Sequence, residues 1–459
     1  MKILYIGAGF VGACSAAVSA DSGHEVLVYD IDNVKIKALG SQNLEEIENC
    51  LFEKGLGDII IRNRQRIKFT SDYKEVESFF DEMDAVFMCL PTPEIGETGE
   101  SDLSYYFDAL NKMASKLVTR NQEQQTNYFI IINKSTVPVE MVLKTKEILT
   151  SYGVINFGVV SNPEFLVEGK AIEGSLKPDR IVIGAESEKD FEIARKIYQR
   201  FYDSPSVYYI EVNPKEAAAG KLLANFCLFN KLMVCFDVVG RTCESFKGIK
   251  FENIRKILST DARIGEWGFY DSLYAGGSCF IKDSRSLSFQ LKSVGKNTIF
   301  IDEVYSANKR QLNLLLDRAE IEAEVDWKDK KVAIFGLAFK RDTNDIRNSP
   351  ALLIVQKLLD KEVGKIVLFD PAAVDNFKKV FPATEKIIYA ESDEKAFENG
   401  VDIVIISTDW PQFRGLSKFL LQQTVKPIII DGRRMLQHEY ENLVKNGYKI
   451  IAVGSPFIM

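Results

Sequence analysis

The chain alternates between short apolar runs and longer stretches with helical spacing, and that rhythm predicts its elements. Lys2 to Ile6 is one apolar run and Glu25 to Asp30 a second. Buried-type strands follow at 84–90, 128–132, 157–160 and 180–184, with helical stretches between several of them. Strands interleaved with helices in this way point to a parallel sheet covered on both faces. From Lys215 to about Phe246 the pattern becomes one long stretch without proline, with apolar residues at 222, 223, 226, 229, 232, 233 and 236 spaced by three and four. At 1.5 Å per residue, a helix of about 30 residues reaches about 45 Å, long enough to connect two domains. At Lys331 the strand and helix alternation restarts, with strands at 365–370, 402–408, 427–431 and 448–452. The expected fold is α/β: two doubly wound domains joined by a long central helix. The boundaries expected are 1–210, a central helical part at 211–318, and 319–459, with the charged stretch 319–330 as linker.

The first turn decides what the first domain holds. Gly7-Ala8-Gly9-Phe10-Val11-Gly12 lies between the first strand and an alanine-rich helical stretch, and the second strand ends in Asp30. Strand, glycine turn, helix and acid-tipped strand form the dinucleotide fingerprint in its required order, so the first doubly wound domain is expected to be Rossmann-like, and the second, which repeats the α/β alternation, Rossmann-like in fold. Gly7 and Gly9 permit the turn and a close backbone approach, and the helix offers its first N–H groups to a pyrophosphate. Asp30 would accept from both ribose hydroxyls and repel a 2′-phosphate, which favours NAD over NADP, although Lys35 nearby works against that preference. The turn Gly336-Leu337-Ala338-Phe339-Lys340 lacks the other fingerprint glycines, so no second dinucleotide is expected.

Composition narrows the chemistry. Of 459 residues, 46% are hydrophobic and 27% charged, and the net charge of −7 leaves no broad basic field for nucleic acid or an anionic membrane. The seven cysteines form no CxxC pair, which suits a reducing compartment. With only His24 and His438, serine–histidine or cysteine–histidine catalysis and histidine-rich metal sites have almost nothing to build on, and no metal is expected. The amino terminus mimics a signal peptide, but Gly7, Gly9 and Gly12 interrupt it, and no other run reaches about 18 apolar residues. A cytoplasmic protein is expected.

Four segments could carry a reaction. In Ala275-Gly276-Gly277-Ser278-Cys279-Phe280-Ile281-Lys282-Asp283, two glycines free the backbone before a cysteine and Lys282 follows to favour its thiolate; a buried turn cysteine has the same composition. Lys221 and Asn225 lie four apart, on one face of the long helix with Leu228 and Leu232. They suit an oxyanion or a cysteine-bound intermediate, or equally a structural hydrogen-bond network. Asn162-Pro163-Glu164-Phe165-Leu166-Val167-Glu168-Gly169 and Lys134-Ser135-Thr136-Val137-Pro138 each follow a strand, where open parallel sheets bind ligands.

Together these segments resemble the UDP-glucose/GDP-mannose dehydrogenase family over essentially the whole chain. The motifs are GAGFVG, KSTVPV at 134–139, NPEFLVEG at 162–169, PDRIVIG at 178–184, KLLAN at 221–225, DARIG at 261–265, GGSCFIKD at 276–283, GLAFKRDTNDIRNSPA at 336–351 and STDWPQF at 407–413, in family order. The resemblance implies oxidation of the C6 alcohol of a nucleotide sugar to a carboxylate at the expense of two NAD. It implies Cys279 as nucleophile, Lys221 and Asn225 as oxyanion stabilisers, and Thr136 and Asp283 as holders of the catalytic water. Glu164 and Glu168 fall on the active-site glutamates. Gly7, Gly9, Phe10, Val11, Gly12, Asp30, Lys35, Thr92, Thr136, Lys282 and Arg347 match cofactor-binding positions. Phe165, Leu166, Glu168, Lys221, Asn225, Phe269, Gly276, Lys340 and Arg433 match substrate positions, and Arg263 looks like an arginine that crosses into a partner's site, which implies a homodimer or higher homo-oligomer.

Three departures bear on the sugar: Leu90-Pro91-Thr92-Pro93, Tyr274-Ala275 before the double glycine, and Phe236-Asp237 on the long helix. None removes a catalytic group. UDP-glucose is the leading substrate, with UDP-N-acetylhexosamine and GDP-mannose as alternatives. A hydroxyacid dehydrogenase would give Cys279 no role, and a catalytically silent nucleotide-binding protein would not need Lys221, Asn225, Cys279 and Asp283 together.

Overall fold

The computed structural model describes residues 1–123, 128–270 and 272–459. The chain divides into two units, one of residues 1–224 with 289–294, the other of residues 225–288 with 295–459.

The first unit is built on eight strands, β1 (Lys2–Ile6), β2 (Glu25–Tyr29), β3 (Ile67–Thr70), β4 (Ala85–Met88), β5 (Phe129–Asn133), β6 (Phe157–Ser161), β7 (Arg180–Gly184) and β8 (Tyr208–Val212). Their order is β3-β2-β1-β4-β5-β6-β7-β8. The first six pair in parallel, and the order reverses at β1 and β4, the switch point at which such sheets bind ligands. The central strands β1, β4 and β5 bury nearly every side chain, as a sheet covered on both faces requires.

The expected parallel sheet is amended at one edge. β7 meets β6 antiparallel through the single pair Ser161 and Gly184, and β8 runs parallel to β7. Strand direction leaves no mark on a buried apolar run, which reads alike in either orientation.

The second unit carries β9 (Lys331–Phe335), β10 (Lys365–Phe369), β11 (Ile387–Tyr389), β12 (Ile403–Ile406), β13 (Ile428–Asp431) and β14 (Ile450–Ala452), ordered β11-β10-β9-β12-β13-β14. All its pairings are parallel, and the order repeats that of the first six strands of the other unit. This is the two-Rossmann architecture expected from the sequence.

The long stretch after Lys215 is helical throughout but not uniform. An α-helix over Pro214–Met233 continues as a π-helix over Val234–Gly240 and returns to α over Arg241–Ser245. Asp237, buried in the π turn, is held by Arg241 at 3.1 Å and by Arg310 at 2.9 Å. The run Pro214–Ser245 is the one helix among the described residues that is long and apolar enough to cross a membrane, and half of its most apolar window is buried within the protein. The boundary between the units falls inside this helix, after Ala224.

Candidate active site

The glycine turn follows β1 directly. Gly7 has φ of 101°, and a Cβ placed there would lie 2.3 Å from the Cys89 carbonyl oxygen; one on Gly12 would lie 2.0 Å from the Gly7 carbonyl oxygen. These two glycines are required by packing. At Gly9 an added Cβ would meet nothing within 4 Å, so the space beside it is open to a ligand. Gly9 also caps the helix Phe10–Asp21 without any side-chain hydrogen bond, leaving the first N–H groups, with half-buried Phe10 and Val11, available to an anion.

Asp30 stands where β2 ends. Its Oδ2 accepts from Ala8 N at 2.7 Å and from Lys35 Nζ at 3.1 Å, while Oδ1 accepts from Asp32 N at 2.9 Å. Lys35 is thereby committed to a carboxylate, with Asp32 at 3.9 Å as a second counter-charge, and offers a 2′-phosphate less attraction than its position in sequence suggests. Thr92 is buried and donates from Oγ1 to the carbonyl of Thr136 at 2.8 Å, tying two of the expected cofactor positions together. The residues present therefore fit a dinucleotide: an open glycine, an uncapped helix end and an acid at the neighbouring strand tip.

Beyond the ends of β5 and β6 lies the acidic part of the first unit. Glu164 Oε1 accepts from Lys221 Nζ at 3.0 Å, with both side chains under a tenth exposed, and Glu164 Oε2 accepts from Leu166 N at 2.5 Å. Phe165 stacks under Arg180 at 3.8 Å and faces Lys221 at 5.3 Å. Glu168 is half-buried in a loop whose far end is clamped by Glu53, a fully buried acid accepting from Gly169 N at 2.7 Å and Ala171 N at 2.9 Å. Lys134, also buried, donates to Asn162 Oδ1 at 3.0 Å and to the Tyr198 hydroxyl at 3.5 Å.

In the second unit, Asn225 follows Lys221 by one turn of the same helix, and its Nδ2 donates to Asp283 Oδ2 at 2.6 Å. The other oxygen of Asp283 accepts from Lys282 Nζ at 2.6 Å, so that lysine is engaged by its neighbouring acid. Cys279 immediately precedes the helix Phe280–Ser293, and its carbonyl accepts from Asp283 N at 2.9 Å. A sulfur at this position lies where the helix dipole stabilises negative charge. Gly276 and Gly277 are compelled by contact: a Cβ on the first would lie 2.5 Å from the Asn348 carbonyl oxygen, and one on the second 2.8 Å from the Phe339 ring. Arg347 accepts from Gly277 N through its carbonyl at 3.0 Å, and its guanidinium pairs with Asp345.

Of the expected substrate residues, Arg433 is largely buried, donating to Ser272 Oγ at 2.8 Å and pairing with Asp409 at 2.6 Å. Burial pushes the Asp409 carboxyl up, but Arg433 and then Arg341 outweigh it and hold it below its ordinary value. Lys340 is half-buried with its ammonium 5.7 Å from the Phe339 ring. Phe269 is only 3% exposed and packs in the hydrophobic core beneath Lys231. Arg263 points outward with a side chain 90% exposed, held by Asp261 at 2.7 Å. Among the described residues no group of three or more histidine, cysteine, aspartate or glutamate side chains could hold a metal ion.

Known proteins match the chain in three stretches. The NAD binding domain of the UDP-glucose/GDP-mannose dehydrogenase family matches residues 1–202, its central domain residues 215–310 and its UDP binding domain residues 333–438. The chain belongs to this family. A UDP-glucose 6-dehydrogenase of Rickettsia bellii is 34% identical over 99% of this chain and 100% of its own. The UDP-glucose 6-dehydrogenase TuaD of Bacillus subtilis is 32% identical over 100% of this chain and 94% of its own. A solved UDP-glucose dehydrogenase from Pyrobaculum islandicum superposes with a TM-score of 0.86 at 26% identity, covering 99% of this chain and 98% of that one.

An NAD-dependent nucleotide-sugar dehydrogenase follows from that membership, and the second Rossmann domain shows how one fold serves a different nucleotide. Asp370 follows β10 as Asp30 follows β2, yet it is buried and its oxygens accept from Leu337 N, Ala338 N, Ala372 N, Ala373 N and Trp410 Nε1. Its acceptor capacity is used up within the protein, so it has nothing left for a ribose.

Sequence reasoning missed Asn308, which is fully buried and brackets Ala275, accepting from its N–H at 2.8 Å and donating to its carbonyl at 2.9 Å. This clamp sets the chain just before the double glycine. A signal existed, because Asn308 interrupts the buried stripe Ile301, Val304, Leu312, Leu315 of the helix Ile299–Glu322. Glu53 and Tyr198 carried no comparable mark.

Proposed function

We propose that the chain oxidises the C6 alcohol of UDP-glucose to the carboxylate of UDP-glucuronate. NAD, when bound, accepts the hydride released in each of two oxidations. The first removes a hydride from C6 and a proton from the hydroxyl, leaving an aldehyde. The Cys279 thiolate adds to that carbon, and Lys221 with Asn225 stabilises the resulting oxyanion as a thiohemiacetal. Loss of a second hydride gives a thioester. Water held by Thr136 and Asp283 cleaves it, returning the thiol and releasing the uronic acid, with Glu164 acting in the hydrolysis and Glu168 in substrate contact. Lys340 and Arg433 contact the nucleotide sugar, and Arg263 serves the site of a partner subunit in a homodimer. The domain division proposed is 1–210, 211–318 and 319–459, in a cytoplasmic enzyme supplying uronic acid for polysaccharides.

The observation that carries this reading is the position of Cys279 at a helix start with the Asn225–Asp283–Lys282 cluster one helical turn further on. This donor and acceptor set needs no histidine and no metal. The test is NADH formation on UDP-glucose, UDP-N-acetylhexosamines and GDP-mannose. UDP-glucose should give the highest kcat/KM, two NADH per sugar and no released aldehyde; a single NADH per sugar would overturn the covalent route.

A further inference from the structure

Lys134 has no part in the chemistry above, although it occupies a costly position. It follows β5 directly, is 8% exposed, and donates to Asn162 Oδ1 at 3.0 Å and Tyr198 OH at 3.5 Å. Tyr198 in turn donates to Asn162 Oδ1 at 2.5 Å, and Asn162 is anchored through Nδ2 to the Val182 carbonyl at 2.9 Å and through its own N–H to the Asn133 carbonyl at 2.9 Å. Asn162 begins the segment that presents Glu164 two residues later. The ammonium thus sits at the hub of a network joining the ends of β5 and β6 and the middle of β7 to the root of the glutamate loop.

The charges that face Lys134 are few. Cys89 follows β4, and its thiol is pushed up to about 12 by burial, despite the opposing pull of Lys134. Burial likewise holds the Tyr198 phenol well above its ordinary value. Both are neutral near pH 7, which leaves Glu164 from the loop and Lys221 from the long helix as the charged groups acting on it. Those two already pair with each other. Lys134 therefore adds an unshared positive charge behind the pair.

We propose that Lys134 is a positioning residue for the reaction, its buried ammonium holding Asn162 and Tyr198 so that Glu164 is presented to Lys221 as a carboxylate. Burial pushes Lys134 down to about 8, with Cys89 and Glu164 opposing that shift and Lys221 adding to it. A cavity of about 420 Å³ has Lys134, Asn162, Glu164 and Tyr198 in its wall and reaches exposed Lys170 and Lys177, which gives the ammonium a path to exchange protons with solvent. Above pH 8 the charge is lost, the Glu164 carboxylate loses a neighbouring cation, and turnover falls.

This inference rests on the proposed activity, and the test separates the two. The kcat of the wild type is measured against pH with saturating NAD and whichever nucleotide sugar it oxidises, alongside Lys134→Arg, Lys134→Met and Tyr198→Phe. Arginine keeps its proton throughout, so Lys134→Arg should retain the acid limb and lose the inflection near pH 8. Lys134→Met should lower kcat by about tenfold while moving KM for NAD less than about twofold, as expected for a group that orders a catalytic carboxylate. Tyr198→Phe removes one acceptor from the ammonium and should move the inflection to lower pH. If Lys134→Arg does not accumulate as folded protein, Tyr198→Phe alone decides. An inflection unmoved in every variant that makes NADH overturns the inference. A wild type inactive on all nucleotide sugars overturns the activity instead.

Discussion

Cys279 ends a glycine turn and starts a helix, and the reaction assigned to it follows from that place. An aldehyde has no second hydride to give until a nucleophile adds and restores a tetrahedral carbon. Cys279→Ala should therefore lower uronic acid formation by roughly three orders of magnitude, since unassisted water must do the work of the thiolate. Cys279→Ser should trap an ester, because an alkoxide leaves less readily than a thiolate; intact-protein mass spectrometry would show a hexuronyl-nucleotide adduct. An alanine variant forming two NADH per sugar at the parent rate would make this cysteine a turn residue only. Asp30 sets the second prediction at this scale. Its carboxylate accepts from Ala8 N at 2.7 Å, and Lys35 is already paired with it at 3.1 Å. NADP should be disfavoured by at least about tenfold in kcat/KM, or roughly 1.4 kcal/mol, and Asp30→Ala should narrow that gap. Residues of this kind were legible because their side chains are polar where the pattern is apolar or glycine-rich. Lys221 and Asn225 stood out on the long helix, and the structure supplies their partners in Glu164 and Asp283. Glu53 was not legible, since an acid after a helix reads as solvent-exposed until the backbone N–H groups of Gly169 and Ala171 are brought to it from far along the chain.

Among the elements, those that bury both faces were legible in the pattern and those that do not were concealed. The strands unforeseen were β3, β8 and β11, all at sheet edges, where half-exposed positions dilute the apolar signal. The π turn in the long helix was equally hidden, because inserting one residue into a helical register changes no residue type. The helix Ile299–Glu322 shows what an element contributes to chemistry it does not touch. By projecting Asn308 from its buried stripe onto the backbone of Ala275, it fixes the chain that leads through Gly276 and Gly277 to Cys279. Asn308→Ala leaves a buried N–H and a buried carbonyl without partners, a loss of about 2 to 4 kcal/mol. Denaturant unfolding should report that loss, and the surviving folded enzyme should show a lower kcat with KM for NAD unchanged, since the glycine turn at Gly7 belongs to the other unit. A variant with parent stability and parent kcat would mean that the double glycine holds its own conformation.

At the scale of the whole molecule, the two Rossmann sheets and the long helix between them in sequence were foreseeable because strand spacing, a glycine fingerprint and proline-free helical periodicity all survive in one sequence. What a single chain does not disclose is whether it completes its own site. Arg263 poses that question, since its side chain is 90% exposed in the chain by itself and its guanidinium pairs with Asp261. An arginine this exposed, held by a neighbour two residues away, is well placed to serve another copy. In a two-fold dimer each site would then take Cys279 from one subunit and Arg263 from the other. Arg263→Ala and Cys279→Ala chains should each be inactive as homodimers. A heterodimer of the two has one site lacking both residues and one site with both intact. Random mixing at equal amounts makes half of the dimers mixed, each with one working site of two, so activity should return to about a quarter of the parent level. Tagging the two chains differently and purifying the mixed species should raise that to about half. Mixed dimers that form and stay inactive would place Arg263 in the site of its own subunit.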